Sequence, residues 1–397
     1  MAELQGVRVL YISYNGVTEP LVHSQVLGYL RGLGAAGVRY HLLTFEKVPP
    51  ADEERIRETL AAADITWSWL PYSGKRGLIG SFGDVLRGRR FILGLRNQID
   101  FVHCRSFFPS AMAWAAGLFR KVPFLYDSRG FWALEKSYKG RITSRAMFSV
   151  LHRFEMHLFR RAKMMISLTD AGARWVRSRV FGGRDTTPIV VIPTCVDLAR
   201  FERERVPLNA SSPVVVYSGS LGEGYLREEV FRFFKIFQER NPGAKLCVLT
   251  RSEPELVRIT AETVGVPDDA YTYHCLSPDD VPAMLLKCDL ALSFIKPHVS
   301  KIASCPTKMA EYLAAGLPVV ANGSIGDVGE QLRRTNVGAV MDDFDEAAMV
   351  QAAEQAETLL ADPEIIHRAR AAASADFSLG GGVAEYKKAY AGMLNGI

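Results

Sequence analysis

Short runs of consecutive apolar residues recur along the chain, separated by longer stretches in which polar and apolar residues mix at helical spacing. Seven such runs fill the first half: Val7–Ser13, Tyr40–Phe45, Ile65–Leu70, Phe101–Cys104, Val122–Tyr126, Met164–Leu168 and Ile189–Ile192. Unbroken Val, Ile, Leu and Phe, rather than strict alternation, predicts strands buried on both faces of a parallel sheet. The rhythm then restarts with Val214–Ser218, Lys245–Thr250, Tyr271–His274, Leu290–Phe294, Pro318–Ala321 and Gly338–Val340. A polar, Pro-containing connection, Pro193 to Phe201 and Pro207 to Pro213, marks a domain boundary near 195–212. The expected fold is α/β, with two Rossmann-like doubly wound parallel-sheet domains facing a central cleft at the carboxyl ends of their strands. Helical patterns cover Asp345 to Ala361 and Pro363 to Ala375. A glycine break at Gly380–Gly382 then precedes a last amphipathic helix, about 378–397, expected to leave its own domain and pack on the first. The expected division is thus 1–197 plus that helix, and 198–377.

Length agrees, because 397 residues exceed what a single hydrophobic core usually fills. No apolar run approaches the ~20 residues that cross a bilayer, and no basic segment with an apolar core precedes the first strand, so a cytoplasmic protein is expected. The six cysteines are scattered without metal-type spacing and are expected to be reduced. Net charge is divided unevenly: residues 1–196 carry +13 and residues 197–397 carry −8, within a total of +5. The positive half predicts an anionic partner, and a membrane surface fits the local pattern better than nucleic acid. Between Ser73 and Gln98, Lys75, Arg76, Arg87, Arg89, Arg90 and Arg96 interleave with Leu78, Ile79, Phe82, Leu86, Phe91 and Ile92. That composition suits either a helix lying on anionic lipid of the inner leaflet or a helix with a solvated basic face.

Candidate chemistry concentrates in Lys301-Ile-Ala-Ser-Cys-Pro-Thr-Lys-Met-Ala-Glu-Tyr-Leu-Ala-Ala-Gly-Leu-Pro-Val-Val-Ala321. Ser304 to Thr307 reads as a loop opening a helix, with Gly316 as its stop and the next strand after it. Unpaired N–H groups at such a helix start suit a diphosphate. Lys301 and Lys308 add charge there, and Glu311 is placed to accept from ribose hydroxyls.

This segment resembles the nucleotide-sugar site of glycosyltransferase family 4, in the subgroup where Ser-x-Pro-Thr-Lys-x-x-Glu-Tyr precedes Ala-Ala-Gly-x-Pro-Val-Val. The segment Tyr14 to Gln25, the stretch Ile192 to Asp197 and the stretch Val216 to Gly222 are similar to the first strand-to-helix loop, the interdomain strand end and the opening of the donor domain. The resemblance spans nearly the whole chain. It implies a GT-B fold and a retaining, metal-independent transferase. No cofactor is implied beyond a nucleotide diphosphate sugar, with uridine the expected base. The acceptor would be a glycan or a lipid-linked molecule in cell-surface polysaccharide or glycoconjugate synthesis. By position, Glu311 would bind ribose, and Ser304, Cys305, Pro306 and Thr307, with Ser218, Gly219 and Ser220, would line the donor.

Three departures from the family stand out. Ala303 occupies the place of the earlier glutamate of the usual pair. The usual Arg and Lys are absent from Gly219 to Tyr225. Asp127-Ser-Arg129 replaces a histidine after Tyr126. Because a leaving diphosphate must have its charge stabilised, either Lys301, Lys308, Arg251 or Arg129 has taken over that duty, or the chain only binds. Asp127 and Arg129 join Lys308, Glu311 and Lys301 as catalytic candidates. Trp132 as a sugar-stacking platform and Glu135 as an acceptor contact stand beside the alternative of a salt-bridged turn over a core Trp. Arg105 suits an ion pair as well as a ligand contact, and His103 reads as core. Asn15, Glu19, Ser24 and Gln25 are the first-loop acceptor candidates, with Ser24 equally suited to a helix cap. Ser277-Pro-Asp-Asp280 reads as a helix start rather than a metal site, and no metal is expected. Rival readings are a sugar-nucleotide epimerase or hydrolase of the same fold, and a non-catalytic nucleotide-sugar-binding partner subunit. No Gly-x-Gly-x-x-Gly follows the first strand, which disfavours a nicotinamide enzyme.

Overall fold

The computed structural model describes residues 4–118, 122–184 and 187–394. The chain divides into two compact units, Met1–Pro193 with Leu379–Ile397, and Thr194–Ser378.

The first unit holds a seven-stranded sheet: β1 Arg8–Ser13, β2 Arg39–Glu46, β3 Ile65–Pro71, β4 Phe101–Arg105, β5 Phe124–Asp127, β6 Met164–Ser167 and β7 Ile189–Val191. Every neighbouring pair is parallel, in the order β3-β2-β1-β4-β5-β6-β7. Winding reverses between β1 and β4, so the loops leaving these strands diverge and open a crevice at their carboxyl ends. β4 is buried along its whole length, as expected of a strand covered on both faces. The first crossover is helical from Pro20 to Gly34, but its second turn, His23–Leu27, is π-wound. An inserted π-turn of this kind shifts the side chains that follow the helix face. Ser24 therefore lies inside the helix and is not its cap; the helix opens on Glu19 and Pro20.

The last helix, Leu379–Leu394, packs within this unit. The break ahead of it differs from expectation. The chain breaks at Ser378, which is extended (φ −68°, ψ 136°), and Gly380–Gly382 fall inside the first turn. Small residues on the facing helix explain the close packing: a Cβ on Gly32 would come within 2.6 Å of the Val383 side chain. Tyr386 and Tyr390 are buried, against Tyr29 and Phe101 respectively. Lys163 Nζ donates to the Met393 carbonyl at 2.6 Å, closing the helix's C-terminal end.

The second unit repeats the pattern with six parallel strands: β8 Val214–Ser218, β9 Lys245–Leu249, β10 Tyr271–His274, β11 Leu290–Ser293, β12 Val319–Asn322 and β13 Gly338–Met341. Their order is β10-β9-β8-β11-β12-β13, with the reversal between β8 and β11. Alternation along β8 feeds both faces. Val215 and Tyr217 join Phe231, Phe233, Phe234 and Phe237 of the helix Arg227–Arg240, while Val216 joins Met309, Tyr312, Leu313 and Phe377 on the other side. Each of those fully buried phenylalanines contributes about 1.5–3 kcal/mol over an exposed one. All thirteen predicted strands are present, their ends displaced by no more than two residues. The helix read at Ser277 begins later, at Val281, because Ser277 Oγ bonds to Asp280 in a turn ahead of it.

Candidate functional site

In the second unit the loop after β12's predecessor β11 runs through the 3-10 turn Val299–Ala303 into the helix Thr307–Ala314. The N-cap position of that helix is Pro306, which offers no side-chain hydrogen bond. At its other end Gly316 adopts φ 78°, with Gly316 N–H on Leu313 O and Leu317 N–H on Tyr312 O, the paired bonds that let a left-handed glycine stop a helix.

Lys308, in that first turn, is buried. Its Nζ lies 4.3 Å from the ring centroid of Tyr217 and 4.8 Å from that of Tyr225, with no hydrogen-bond partner among the described residues. Burial pushes the ammonium down to about 7, against the opposing pull of Glu311. The same Nζ lies beside Gly219, where a Cβ would stand 2.7 Å from it, and Gly219 has φ 139°. Two tyrosines brace this loop. Tyr217 Oη donates to Ser220 O at 2.6 Å, and Ser218 N–H donates to Tyr312 Oη at 2.7 Å. One turn on from Lys308, Glu311 is partly exposed. Burial pushes its carboxyl up, with Arg200 and Lys308 pulling the other way.

The other donor candidates are placed less centrally. Thr194 engages Cys305 twice, N–H to Sγ at 3.4 Å and Oγ1 to the carbonyl at 3.0 Å, so the thiol serves the loop's conformation. Ser304, Pro306 and Thr307 line the entry to the helix and are partly exposed. Lys301 sits in the 3-10 turn, and Arg251 is exposed after β9. Among the cations considered for a diphosphate, Lys308 packs against the loop after β8. Arg129 belongs to the first unit. Arg200 was not anticipated from sequence; it lies in the 3-10 turn Leu198–Phe201, which Asp197 caps.

The second constellation lies at the carboxyl ends of β4 and β5, with Gln25 contributed by the π-turn. Arg105 Nη2 donates to Gln25 Oε1 at 2.9 Å, and Arg129 Nη2 reaches the same oxygen at 3.4 Å. Asp127 Oδ1 faces Arg129 at 3.4 Å, while Oδ2 faces His103 Nε2 and Tyr386 Oη, each at 3.3 Å. Burial pushes the Asp127 carboxyl up, but Arg129 and His103 outweigh it and hold it well below the usual range. Asp127 is thus ionised and must accept, so His103 carries its proton on Nε2. Its Nδ1 then accepts from Tyr390 Oη at 2.8 Å, and Tyr40 Oη completes the chain at 3.1 Å. Burial lowers the His103 pKa, keeping the ring neutral.

Several first-unit candidates serve local structure in this geometry. Asp127, held by Arg129, His103 and Tyr386, organises its neighbours. Trp132 is stacked on Phe107 (4.2 Å, 7°) and meets Phe108 edge-on, so that face is packing rather than a sugar platform. Glu135 pairs with Lys139, one turn along the surface. Glu19 accepts from Asn15 Nδ2 and Gly16 N–H and pairs with Lys47, so Asn15 and Glu19 hold the first loop together. Sequence reading also missed Glu155, fully buried, which accepts from the Trp132 and Ala133 N–H groups and whose carboxyl burial raises to about 7.

The two halves match two family models: residues 22–195 match a glycosyl transferase 4-like domain, and residues 199–375 match glycosyl transferases group 1. The chain is a group 1 glycosyltransferase. Solved structures agree on the fold. Sucrose-phosphate synthase from Thermosynechococcus elongatus aligns over 97% of this glycosyltransferase and 98% of its own chain, at 15% identity and TM-score 0.73. A glycosyltransferase from Rickettsia africae aligns over 98% and 99%, at 15% identity and TM-score 0.71. Anabaena HepE, solved in complex with UDP and glucose, aligns over 97% and 99%, at 14% identity and TM-score 0.69. No curated protein matches the glycosyltransferase by sequence.

Proposed function

We propose that the second unit binds a uridine diphosphate sugar around Lys308 and Glu311, and that the sugar passes with retention of configuration to a glycan or lipid-linked acceptor held by the first unit, in cell-surface polysaccharide or glycoconjugate synthesis. One observation carries the donor assignment: a buried ammonium without a hydrogen-bond partner among the described residues, set where a side chain on Gly219, just after β8, would stand. An ammonium in that state costs several kcal/mol unless an anion completes it, and a diphosphate at the switch point of a parallel sheet does so. Lys308 then takes the duty of the Arg and Lys missing from Gly219 to Tyr225, stabilising charge on the leaving diphosphate without a metal. The complex of HepE with UDP supports uridine as the base. In a retaining reaction at this site, the acceptor hydroxyl attacks from the face of the departing phosphate, which takes its proton.

Glu311→Ala is expected to raise the KM for a UDP-sugar about 10- to 100-fold, the worth of charge-assisted hydrogen bonds to ribose. Steady-state kinetics against UDP-glucose and UDP-GlcNAc decide it; unchanged KM and kcat would remove Glu311 from the site.

The membrane reading rests on the helix Gly77–Leu95. Ile79 and Phe82 are 87% and 65% exposed, and Leu86 continues the same face one turn further. Lys75, Arg76 and Arg90 are exposed beside them. Two other basic residues point inward instead: Arg87 to buried Asp84 and the Pro71 carbonyl, Arg89 to the Ala115 carbonyl. Among the described residues no helix is long and apolar enough to cross a membrane, and this face suits shallow insertion into anionic lipid. The chain is expected to co-float with vesicles containing phosphatidylserine but not with pure phosphatidylcholine, and Ile79→Ser with Phe82→Ser to abolish flotation. Equal flotation with both lipids, or of the variant and the parent, would count against it.

A further inference from the structure

The two arginines at the ends of β4 and β5 are not accounted for by the first unit's own packing. Other buried or half-buried arginines here serve carbonyl groups: Arg205 bridges the Ala315 and Cys288 oxygens, and Arg160 holds Val180 O with two nitrogens. Arg105 has no such acceptor. It is 5% exposed, its hydrogen bond goes to Gln25 alone among the described residues, and its Nε is buried without a partner. Arg129 Nε is likewise buried and unpaired, and its contacts to Asp127 and Gln25 are both long, at 3.4 Å.

Charge does not balance either. Two guanidiniums share one carboxylate, Asp127, while the remaining neighbours are a neutral imidazole and phenols. Among the described residues one positive charge is left over, in a site almost closed to water. Guanidiniums side by side repel, and burial raises the cost; Gln25, brought in by the π-turn, gives both a single amide oxygen. Such a site is incomplete without an anion. Two forks arrive from different strand ends, one on each guanidinium. A carboxylate is satisfied by one fork, whereas a tetrahedral phosphoryl group offers oxygens in both directions.

We propose that Arg105 and Arg129, braced by Gln25 and Asp127, form a receptor for a phosphoryl group on the acceptor, so that this glycosyltransferase acts on a phosphorylated acceptor. The inference deepens the acceptor role given above to the first unit and does not depend on the nucleotide site. Phosphoryl groups reach such a site either on a soluble phosphomonoester or in a lipid headgroup.

The test uses the full chain carrying Lys308→Met, which removes the other unpaired buried cation. Titration calorimetry compares glycerol 3-phosphate, short-chain phosphatidic acid, glycerol and glucuronate. Both phosphorylated probes, or one of them, should bind, and glycerol and glucuronate should bind at least about tenfold more weakly. Binding of glycerol 3-phosphate assigns a soluble source; binding of phosphatidic acid alone assigns a lipid one. Adding Arg105→Met should weaken the phosphorylated probe at least about tenfold while leaving the melting temperature of the ligand-free protein unchanged or higher. Arg105→Gln is read in parallel, so that a folding failure of one variant leaves the other to decide. Equal binding of phosphorylated and neutral probes, equal binding of glucuronate, or unchanged binding in the Arg105 variants would overturn the proposal. Failure of UDP to bind the parent chain would remove the nucleotide reading and leave this one standing.

Discussion

Lys308→Met is expected to weaken UDP binding by about 100-fold or more and, at the same time, to make the ligand-free protein more stable. The two effects share one cause. Lys308 is buried with tyrosine rings for company and no hydrogen-bond partner. Its ammonium is therefore a cost in the empty protein and an asset once a diphosphate arrives. Methionine fills a similar volume without the charge. The sign with pH follows. Lys308 titrates near 7 in the folded chain and near 10.4 when unfolded. Below 7 both states bind the proton and the cost is fully present; as pH rises toward 10 the unfolded chain binds more protons and the cost fades. The gain in melting temperature should then be roughly 2–6 °C near pH 7 and vanish toward pH 10. Differential scanning fluorimetry and UDP titration of the two proteins check both halves. A variant that loses stability and binding together would mean that Lys308 is merely structural.

Gly219→Ala carries the second large effect. At φ 139° an alanine is strained, at a cost of about 1–3 kcal/mol, and its Cβ falls 2.7 Å from Lys308 Nζ. The long lysine side chain gives way first, so UDP affinity should fall about 10-fold or more beyond any loss of stability. Gly224→Ala, in the same loop with open space around it, is the control and should bind UDP as the parent does. Matching behaviour of the two variants would show that the Gly219–Lys308 contact has no part in binding.

Much of the fold was legible because a parallel strand announces itself locally: runs such as Val214–Ser218 and Leu290–Ser293 are apolar on both faces. Lys308 and Glu311 were legible for a similar reason, since the loop, helix and glycine stop that place them are contiguous in sequence. What lay hidden depends on residues far apart in the chain. Asp127 reads as a catalytic candidate, and its partners His103 and Tyr386, the latter 259 positions away, show only once the fold brings them to its Oδ2. Trp132 is an aromatic beside charges on paper, and only packing reveals that Phe107 covers one face. The π-turn at His23–Leu27 leaves no mark, because one extra residue per turn barely disturbs a helical pattern of polar and apolar positions. Yet that turn delivers Gln25 to the two arginines. Tyr217 and Tyr225 were read as strand and loop residues, and their enclosure of an ammonium emerges only with the helix from Thr307 in place.

The central claim, that a diphosphate completes the unpaired Lys308 ammonium, is tested most directly by proton uptake on UDP binding. At pH 8 the free lysine is mostly neutral, and an adjacent diphosphate should restore its proton; the phosphate's own ionisation near 6 is by then complete. Calorimetric titration of the parent chain with UDP in two buffers of different ionisation enthalpy should give close to one proton taken up, and affinity should fall about tenfold per pH unit above 7. Binding with no proton uptake, or affinity that rises with pH, would contradict it.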